Sequence, residues 1–119
     1  MKSNYHVIFH LDSESEGVIK KTLNNLENVL HDPRLQGKIV AELIANSKGY
    51  HVYEKGNSLE EKLKKLQSEG VILAQCGNTL SELKIDREKL YPFISVVPSA
   101  MGEIVLRQSE GWAYVHPGQ

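Results

Sequence analysis

The sequence predicts an α/β fold in which a parallel sheet lies between layers of helices. Strand-like and helix-like segments alternate along the whole chain in the order β-α-β-α-β-α-β-α-β. The strand-like segments are short and rich in β-branched residues, whereas the helix-like segments carry apolar residues at three-to-four spacing. Residues 38–45 are mostly apolar on both faces of a strand, which is typical of a parallel sheet covered on both sides. Alternation of this kind implies right-handed crossovers between neighbouring strands.

The first strand and the first helix follow from local pattern. Tyr5–Leu11 has the composition of a strand. Ser13, with Glu16 three residues later, forms a capping-box pattern that predicts the start of a helix, with Asp12 as a second capping candidate. Apolar residues then recur along one helix face until the helix ends before Pro33.

The middle of the chain predicts two strands around a second helix. Residues 38–45 form the second strand, and Ser58 with Glu61 predicts the cap of the next helix. Gly70 is well placed to end that helix. Residues 71–75 then form a third, central strand, and Cys76 ends it.

The last third of the chain repeats the alternation. A short helix is expected over 77–84, and Asp86 is a candidate cap for a further turn. A fourth strand follows over 94–97 and stops at Pro98. Ser99 is expected to cap a helix that Gly111 closes, and residues 112–115 form a short last strand.

Composition limits the classes of function. The 119 residues, 40% of them hydrophobic and 24% charged, predict one globular domain over residues 1–119. A formal net charge of −1 gives no basic surface for nucleic acid, and no apolar run is long enough to span a membrane. The N-terminal residues lack the form of a signal peptide. A lone cysteine cannot form an internal disulfide, which favours a reducing, cytoplasmic setting.

The carboxyl edge of the sheet is the expected binding edge, because ligands of open α/β sheets bind beyond the carboxyl ends of the strands. Cys76 lies at this edge, where a strand turns into a helix. Backbone N–H groups at a helix start favour an anion and therefore the thiolate form of a cysteine. Gly77 would let the backbone approach closely and leave the sulfur uncrowded. The alternative is that Cys76 is a buried small hydrophobic residue, as cysteine often is.

Other candidate residues lie at the same edge. His10 could approach Cys76 as a base, or it could be a hydrogen-bonded structural residue. Asp12 could position a substrate, although capping explains it as well. Ser99 and Gly102 have the form of a sparse anion cradle at a helix start. The histidines show no metal-ligand spacing and the phosphate-binding fingerprints are absent, so neither a metal nor another cofactor is expected.

Several segments together resemble the DsrE/DsrF-like family, particularly its small single-domain, largely uncharacterised branch. The more specific segments are 76–80, with the sequence Cys-Gly-Asn-Thr-Leu, and 97–104, with the sequence Val-Pro-Ser-Ala-Met-Gly-Glu-Ile. Residues 9–12, 23–26 and 110–114 carry the rest of the resemblance, which covers nearly the whole chain in order.

This resemblance implies a three-layer α/β/α fold around a five-stranded, mainly parallel sheet of flavodoxin-like appearance. It also implies homo-oligomers. The better-studied relatives carry sulfur as a cysteine persulfide on a cysteine that follows the third strand, which is the place of Cys76 here. Asp12, Asn78, Ser99 and Gly102 match recurrent segments and are expected to be pocket neighbours without an assigned catalytic role.

Three functions are compatible with the sequence. The first is a sulfur carrier or sulfurtransferase that accepts sulfane sulfur on Cys76 from a donor protein and passes it to an acceptor protein. The second is a small-ligand- or nucleotide-binding oligomeric module that uses the same edge without thiol chemistry. The third is an oligomeric accessory protein with a vestigial pocket and an unreactive Cys76.

Overall fold

The structure, a computed structural model, describes residues 4–118; residues 1–3, where no signal peptide is expected, and residue 119 lie outside the described part. In chain order the strands are β1 Tyr5–Leu11, β2 Ile39–Ala45, β3 Ile72–Cys76, β4 Ser95–Val97 and β5 Ala113–Val115. The α-helices are α1 Glu16–His31, α2 Glu60–Ser68, α3 Gly77–Glu82 and α4 Ala100–Ser109. Two 3₁₀ helices cover Ser47–Tyr53 and Arg87–Lys89.

All five strands belong to one parallel sheet with the strand order β4-β3-β2-β1-β5. The expectation of an α/β fold with a five-stranded, mainly parallel sheet is confirmed. β2 is the central strand, and its last five residues are buried. This explains why residues 38–45 are apolar on both faces, since neither face of a central strand in a covered sheet meets water.

The two faces of the sheet carry unequal cores. On one face, α1 and α2 pack their apolar sides against β1, β2 and β3 in a cluster of twenty buried residues that includes Phe9, Leu26 and Leu43. On the other face, six buried residues form a smaller cluster, namely Ile8, Ile44, Ala74, Cys76, Ala100 and Trp112. Helix α4 covers this second face, so the sheet has helices on both sides.

The first helix begins later than the capping-box pattern predicts. Its N-cap is Ser15, whose Oγ accepts a hydrogen bond from the Val18 backbone N–H at 3.4 Å, so the prediction of Ser13 as the cap was wrong. The Ser13 Oγ instead accepts from the Ser15 N–H at 3.0 Å, a local turn that competes with helix formation. Asp12 does not cap the helix either, because its carboxylate pairs with His116 at 3.1 Å.

The second helix also lacks its predicted cap. α2 begins at Glu60 after Leu59, with no side-chain cap, so the prediction for Ser58 was wrong. The backbone N–H of Leu59 donates instead to the Asn57 side chain at 3.0 Å. Gly70 does end this helix as predicted: its φ is +97°, the left-handed conformation that favours glycine.

These caps predict different effects of two similar serine substitutions. Ser15→Ala is expected to lower the free energy of unfolding by about 1 kcal/mol, because an orphan N–H at the start of α1 loses its acceptor. Ser58→Ala is expected to change it by less than about 0.5 kcal/mol. Urea unfolding of both variants measures the difference, and a larger loss in Ser58→Ala would contradict the assignment of the caps.

Candidate functional site

Parallel pairing brings the carboxyl ends of the five strands to one edge of the molecule. The segments that leave this edge begin at Asp12, Asn46, Gly77, Pro98 and His116. The sequence-predicted candidates Asp12, Cys76 and Ser99 therefore lie along the same edge. His10 lies one residue inside it, next to the last residue of β1.

Cys76 is the last residue of β3 and the residue before α3. It is 5% exposed and belongs to the smaller apolar cluster, in which Ala100 of α4 is buried and Ile104 of the same helix is partly buried. The thiol is free. Access of a reagent to its sulfur therefore depends on whether the segment that covers this cluster can move.

The turn after Cys76 packs tightly against the end of β4. A Cβ atom on Gly77 would lie 2.9 Å from the backbone oxygen of Val97 and 3.3 Å from that of Pro98, so this position requires glycine. The Asn78 N–H donates to the Pro98 carbonyl at 3.2 Å. The expectation that the N–H groups of α3 are free to hold an anion is therefore wrong for Asn78, because the neighbouring loop already satisfies it.

The loop that follows β2 is tied to the same helix. The buried Thr79 hydroxyl accepts a hydrogen bond from the Ser47 N–H at 2.8 Å. Ser47 has a φ of +50°, an uncommon conformation for a residue other than glycine. This bond fixes the start of the first 3₁₀ helix beside the turn that carries Cys76.

His10 is the centre of a polar network that the sequence did not predict. Its Nδ1 lies 2.7 Å from the Tyr114 hydroxyl, and its Nε2 lies 2.8 Å from the Asn46 Oδ1. The ring of His116 stacks on the ring of His10 at 4.7 Å between centroids, and the His116 Nε2 lies 3.1 Å from the Asp12 carboxylate. The network joins β5, β1 and β2 across the carboxyl edge.

The network determines the proton positions on a neutral His10. Because the Asn46 Oδ1 can only accept, the His10 Nε2 carries the proton and donates it. The Nδ1 then accepts from the Tyr114 hydroxyl. Burial, and then the negative charge of Asp12, raise the pKa of Tyr114, so its hydroxyl keeps the proton that this bond requires.

His10 and Cys76 lie on the same face of the sheet, but they are not neighbours. His10 pairs with Ile44 in β2, and Ile44 pairs with Ala74 in β3. Two strand spacings, about 10 Å, therefore separate β1 from β3. The alternative in which His10 approaches Cys76 directly is not met, and both ring nitrogens are hydrogen-bonded, as in the other alternative. The intervening position belongs to Asn46, which follows Ala45 opposite Gln75 and so continues the register opposite Cys76.

Ser99 and Gly102 form a helix cap. The Ser99 Oγ accepts from the Gly102 N–H at 2.9 Å, as expected for the cap of α4. A Cβ atom on Gly102 would lie 2.7 Å from that oxygen, so glycine makes this close contact possible. The two residues contact each other, and their part in binding an anion stays a prediction.

A second polar group that the sequence did not predict lies under α4. Glu42 of β2 is fully buried, and its Oε1 accepts a hydrogen bond from the Arg107 Nε at 2.8 Å. The Glu103 carboxylate lies 3.4 Å from the same nitrogen. Burial, and then the Glu103 carboxylate, raise the pKa of Glu42 to about 8 against the opposing effect of Arg107. A lone glutamate in the apolar run of β2 was the available sequence signal.

Residues 4–118 contain no group of three or more His, Cys, Asp and Glu side chains able to hold a metal ion. No helix in this part of the chain is both long enough and apolar enough to cross a membrane.

The close approach at Gly77 predicts a specific loss of stability. Gly77→Ala is expected to lower the free energy of unfolding by roughly 1–3 kcal/mol, since the new methyl group would meet backbone atoms that cannot rotate away. Gly118→Ala is the control, because a Cβ atom there has no neighbour within 4 Å. Thermal unfolding of both variants tests this, and equal stabilities would contradict the tight packing described for the turn.

Comparison with known proteins agrees with this architecture. The chain is similar to the solved structure of a protein of unknown function, MTH1491, from Methanobacterium thermoautotrophicum. The two share 32% sequence identity over 96% of this chain and 100% of that chain, with a TM-score of 0.89. No curated protein matches the chain. The model of the DsrE/DsrF-like family matches residues 35–117, which include β2 to β5 and the turn at Cys76. The chain belongs to the DsrE/DsrF-like family.

Proposed function

We propose that this protein carries sulfane sulfur as a persulfide on Cys76 and passes it to the thiol of an acceptor protein. The DsrE/DsrF-like family is associated with sulfur relay. The observation that carries the proposal is the position of the lone cysteine, at the carboxyl end of β3 within the matched region. This is the position of the acceptor cysteine that the family resemblance implies.

The transfer needs only thiol exchange. The Cys76 thiolate attacks the terminal sulfur of a donor persulfide, so that a bond forms between the two sulfurs. The S–S bond of the donor breaks, and the donor leaves as a thiolate. In the second step an acceptor thiolate attacks the terminal sulfur on Cys76 and releases the Cys76 thiolate. One sulfur atom moves in each step, and no external oxidant or reductant is consumed.

Burial sets a condition on this chemistry. Because Cys76 is 5% exposed, a donor can reach its sulfur only when the apolar cluster around it, to which Ala100 at the start of α4 belongs, opens. The reaction is therefore expected to be limited by access to the thiol, and contact with a donor protein at the carboxyl edge would favour the open form.

Sulfur loading of the reduced protein tests the proposal. Incubation with a low-molecular-weight persulfide is expected to add one sulfur per chain, measured by intact mass, and the added sulfur should leave on treatment with dithiothreitol. Cys76→Ser removes the only thiol of the chain and is expected to gain nothing.

A relocated cysteine provides the matched control. In the double variant Cys76→Ser/Ser81→Cys, the thiol moves to an exposed position of α3. We expect its persulfide to be lost to small thiols faster than the one on Cys76, because it is not sheltered. Failure of the wild-type protein to gain sulfur, or equal loading and equal lifetime at both positions, would contradict a dedicated site at Cys76.

The burial of Cys76 also favours a second candidate function. A small ligand could bind over the His10 network, in which Asn46 is partly exposed and Tyr114 is 39% exposed, without any use of the thiol. This function predicts that a ligand raises the melting temperature equally in the wild-type protein and in Cys76→Ser. Sulfur loading without such stabilisation would exclude it.

We also propose that the protein forms a homo-oligomer in which a second copy of the chain covers the outward face of α4. Met101, Val105 and Leu106 are each more than half exposed on this helix, although they are large apolar side chains. Val105→Glu is expected to shift the protein toward the monomer in sedimentation velocity. Leu83→Glu, at an exposed apolar residue after α3, is the control. Equal sedimentation of the wild-type protein and Val105→Glu would contradict this interface.

A further inference from the structure

Helix α4 is attached to the sheet at two places. At its amino end, Ala100 and Ile104 pack in the small apolar cluster that contains Cys76. Toward its carboxyl end, Arg107 reaches down to Glu42 of β2, which is fully buried, and the Glu103 carboxylate, 14% exposed, lies 3.4 Å from the same Arg107 nitrogen. The same helix therefore packs in the apolar cluster that contains the thiol and bonds to a buried carboxylate.

The charges around Glu42 do not balance when the carboxylates of Glu42 and Glu103 are both ionised. From α4, the groups that face Glu42 are the carboxylate of Glu103 and the guanidinium of Arg107, which also lies 3.4 Å from the Glu110 carboxylate. The centroid of the Trp112 ring lies 4.3 Å from the Arg107 guanidinium carbon and 5.1 Å from that of the His6 ring, which is tilted against it. The buried Tyr53 lies on the opposite face of the sheet. The single guanidinium of Arg107 thus pairs with three carboxylates. The Glu42 Oε2 is buried and has no hydrogen-bond partner among the described residues.

A proton on this pair of carboxylates relieves the imbalance. When Glu42 is protonated, the buried site holds one carboxylate and one guanidinium, and no unpaired charge is left in the apolar layer. When Glu42 ionises, a second negative charge is buried without a partner for its Oε2. Lifting of α4 as a whole would return that charge to water.

We propose that the cluster of Glu42, Glu103 and Arg107 is a pH-sensitive attachment of α4 that controls access to Cys76. Its role in regulating sulfur transfer rests on the proposed function. The pH-dependent docking of α4 itself does not. At low pH the attachment is closed and the thiol is covered. As the pH rises, α4 opens more often and the thiol is exposed.

The sign and the pH range follow from linkage. The pKa of Glu42 is raised from an ordinary value of 4.5 to about 8 when α4 is docked. A group whose pKa is raised in the docked state stabilises docking fully below its ordinary pKa. This contribution is lost as the pH rises toward the docked pKa and is constant above it. The opening of α4 is therefore expected to increase between pH 4.5 and pH 8 and to level off above pH 8.

The test compares rates of thiol labelling in the wild-type protein and in Glu42→Gln, which mimics the protonated form. The intact, reduced protein is labelled with 2,2′-dithiodipyridine from pH 5 to pH 9. The ratio of the two rates cancels the pH dependence of the thiol itself. We expect the ratio of wild-type to variant rates to rise by at least about tenfold from pH 5 to pH 8 and then to stay constant.

Glu110→Gln is the matched control. Like Glu42→Gln, it removes one carboxylate that contacts Arg107, here at 3.4 Å from the Arg107 Nη1, but the Glu110 side chain is 57% exposed. Its labelling is expected to follow that of the wild-type protein at every pH. Hydrogen exchange of the α4 backbone amides provides a readout that does not involve the thiol, and exchange in the wild-type protein is expected to quicken over the same pH range.

The outcomes separate this inference from the proposed function. A labelling ratio that does not change with pH, or the same profile in Glu110→Gln as in Glu42→Gln, would overturn the pH-sensitive attachment. Should Glu42→Gln fail to fold, Glu103→Gln takes its place and is expected to flatten the profile by removing the second carboxylate. Absence of sulfur loading with pH-dependent labelling would remove the carrier function and leave the attachment standing.

Discussion

Parallel pairing around β2 is the constraint on which the rest of the structure depends. Because β1 and β3 both pair with this strand in the same direction, their last residues reach one edge together, and the short strands β4 and β5 extend that edge on either side. Asp12, Asn46 and Cys76 are far apart in sequence and become neighbours along one line through this pairing alone. An antiparallel partner at any of these places would move a candidate residue to the opposite end of the sheet.

The two faces of the sheet differ in composition. The face under α1 and α2 is almost entirely apolar and holds most of the core. The face under α4 has a small apolar cluster with polar groups on both sides, the His10 network near the carboxyl edge and Glu42 further inside. A buried ion pair contributes little net stability and leaves a costly charge when one partner is lost. The thin, partly polar layer is therefore the part of the fold best suited to move, and it contains the thiol.

A buried thiol is compatible with the sulfur-carrier function if the thiol is uncovered only while sulfur is transferred and is covered at all other times. A persulfide is reactive toward other thiols, so a carrier gains from sheltering it between donor and acceptor. Helix α4 can contribute to that shelter through Ala100, which is buried in the same small apolar cluster as Cys76. Its outward apolar face is the surface of the proposed homo-oligomer, and that proposal would connect assembly with cover of the thiol.

Local sequence determined the alternation of strands and helices, the parallel sheet, the end of β3 at Cys76 and the caps at Ser99 and Gly70, because each depends on contacts within a few residues or on burial of a whole face. Only the tertiary structure decided that Asp12 pairs with His116, that Asn46 lies between His10 and Cys76, and that Arg107 reaches Glu42. Those outcomes depend on partners 30 to 104 residues apart in the chain, such as His10 with Asn46 and Asp12 with His116, which local pattern does not relate. The burial of Cys76 in one cluster with Ala100 of α4 likewise depends on how a helix crosses the sheet.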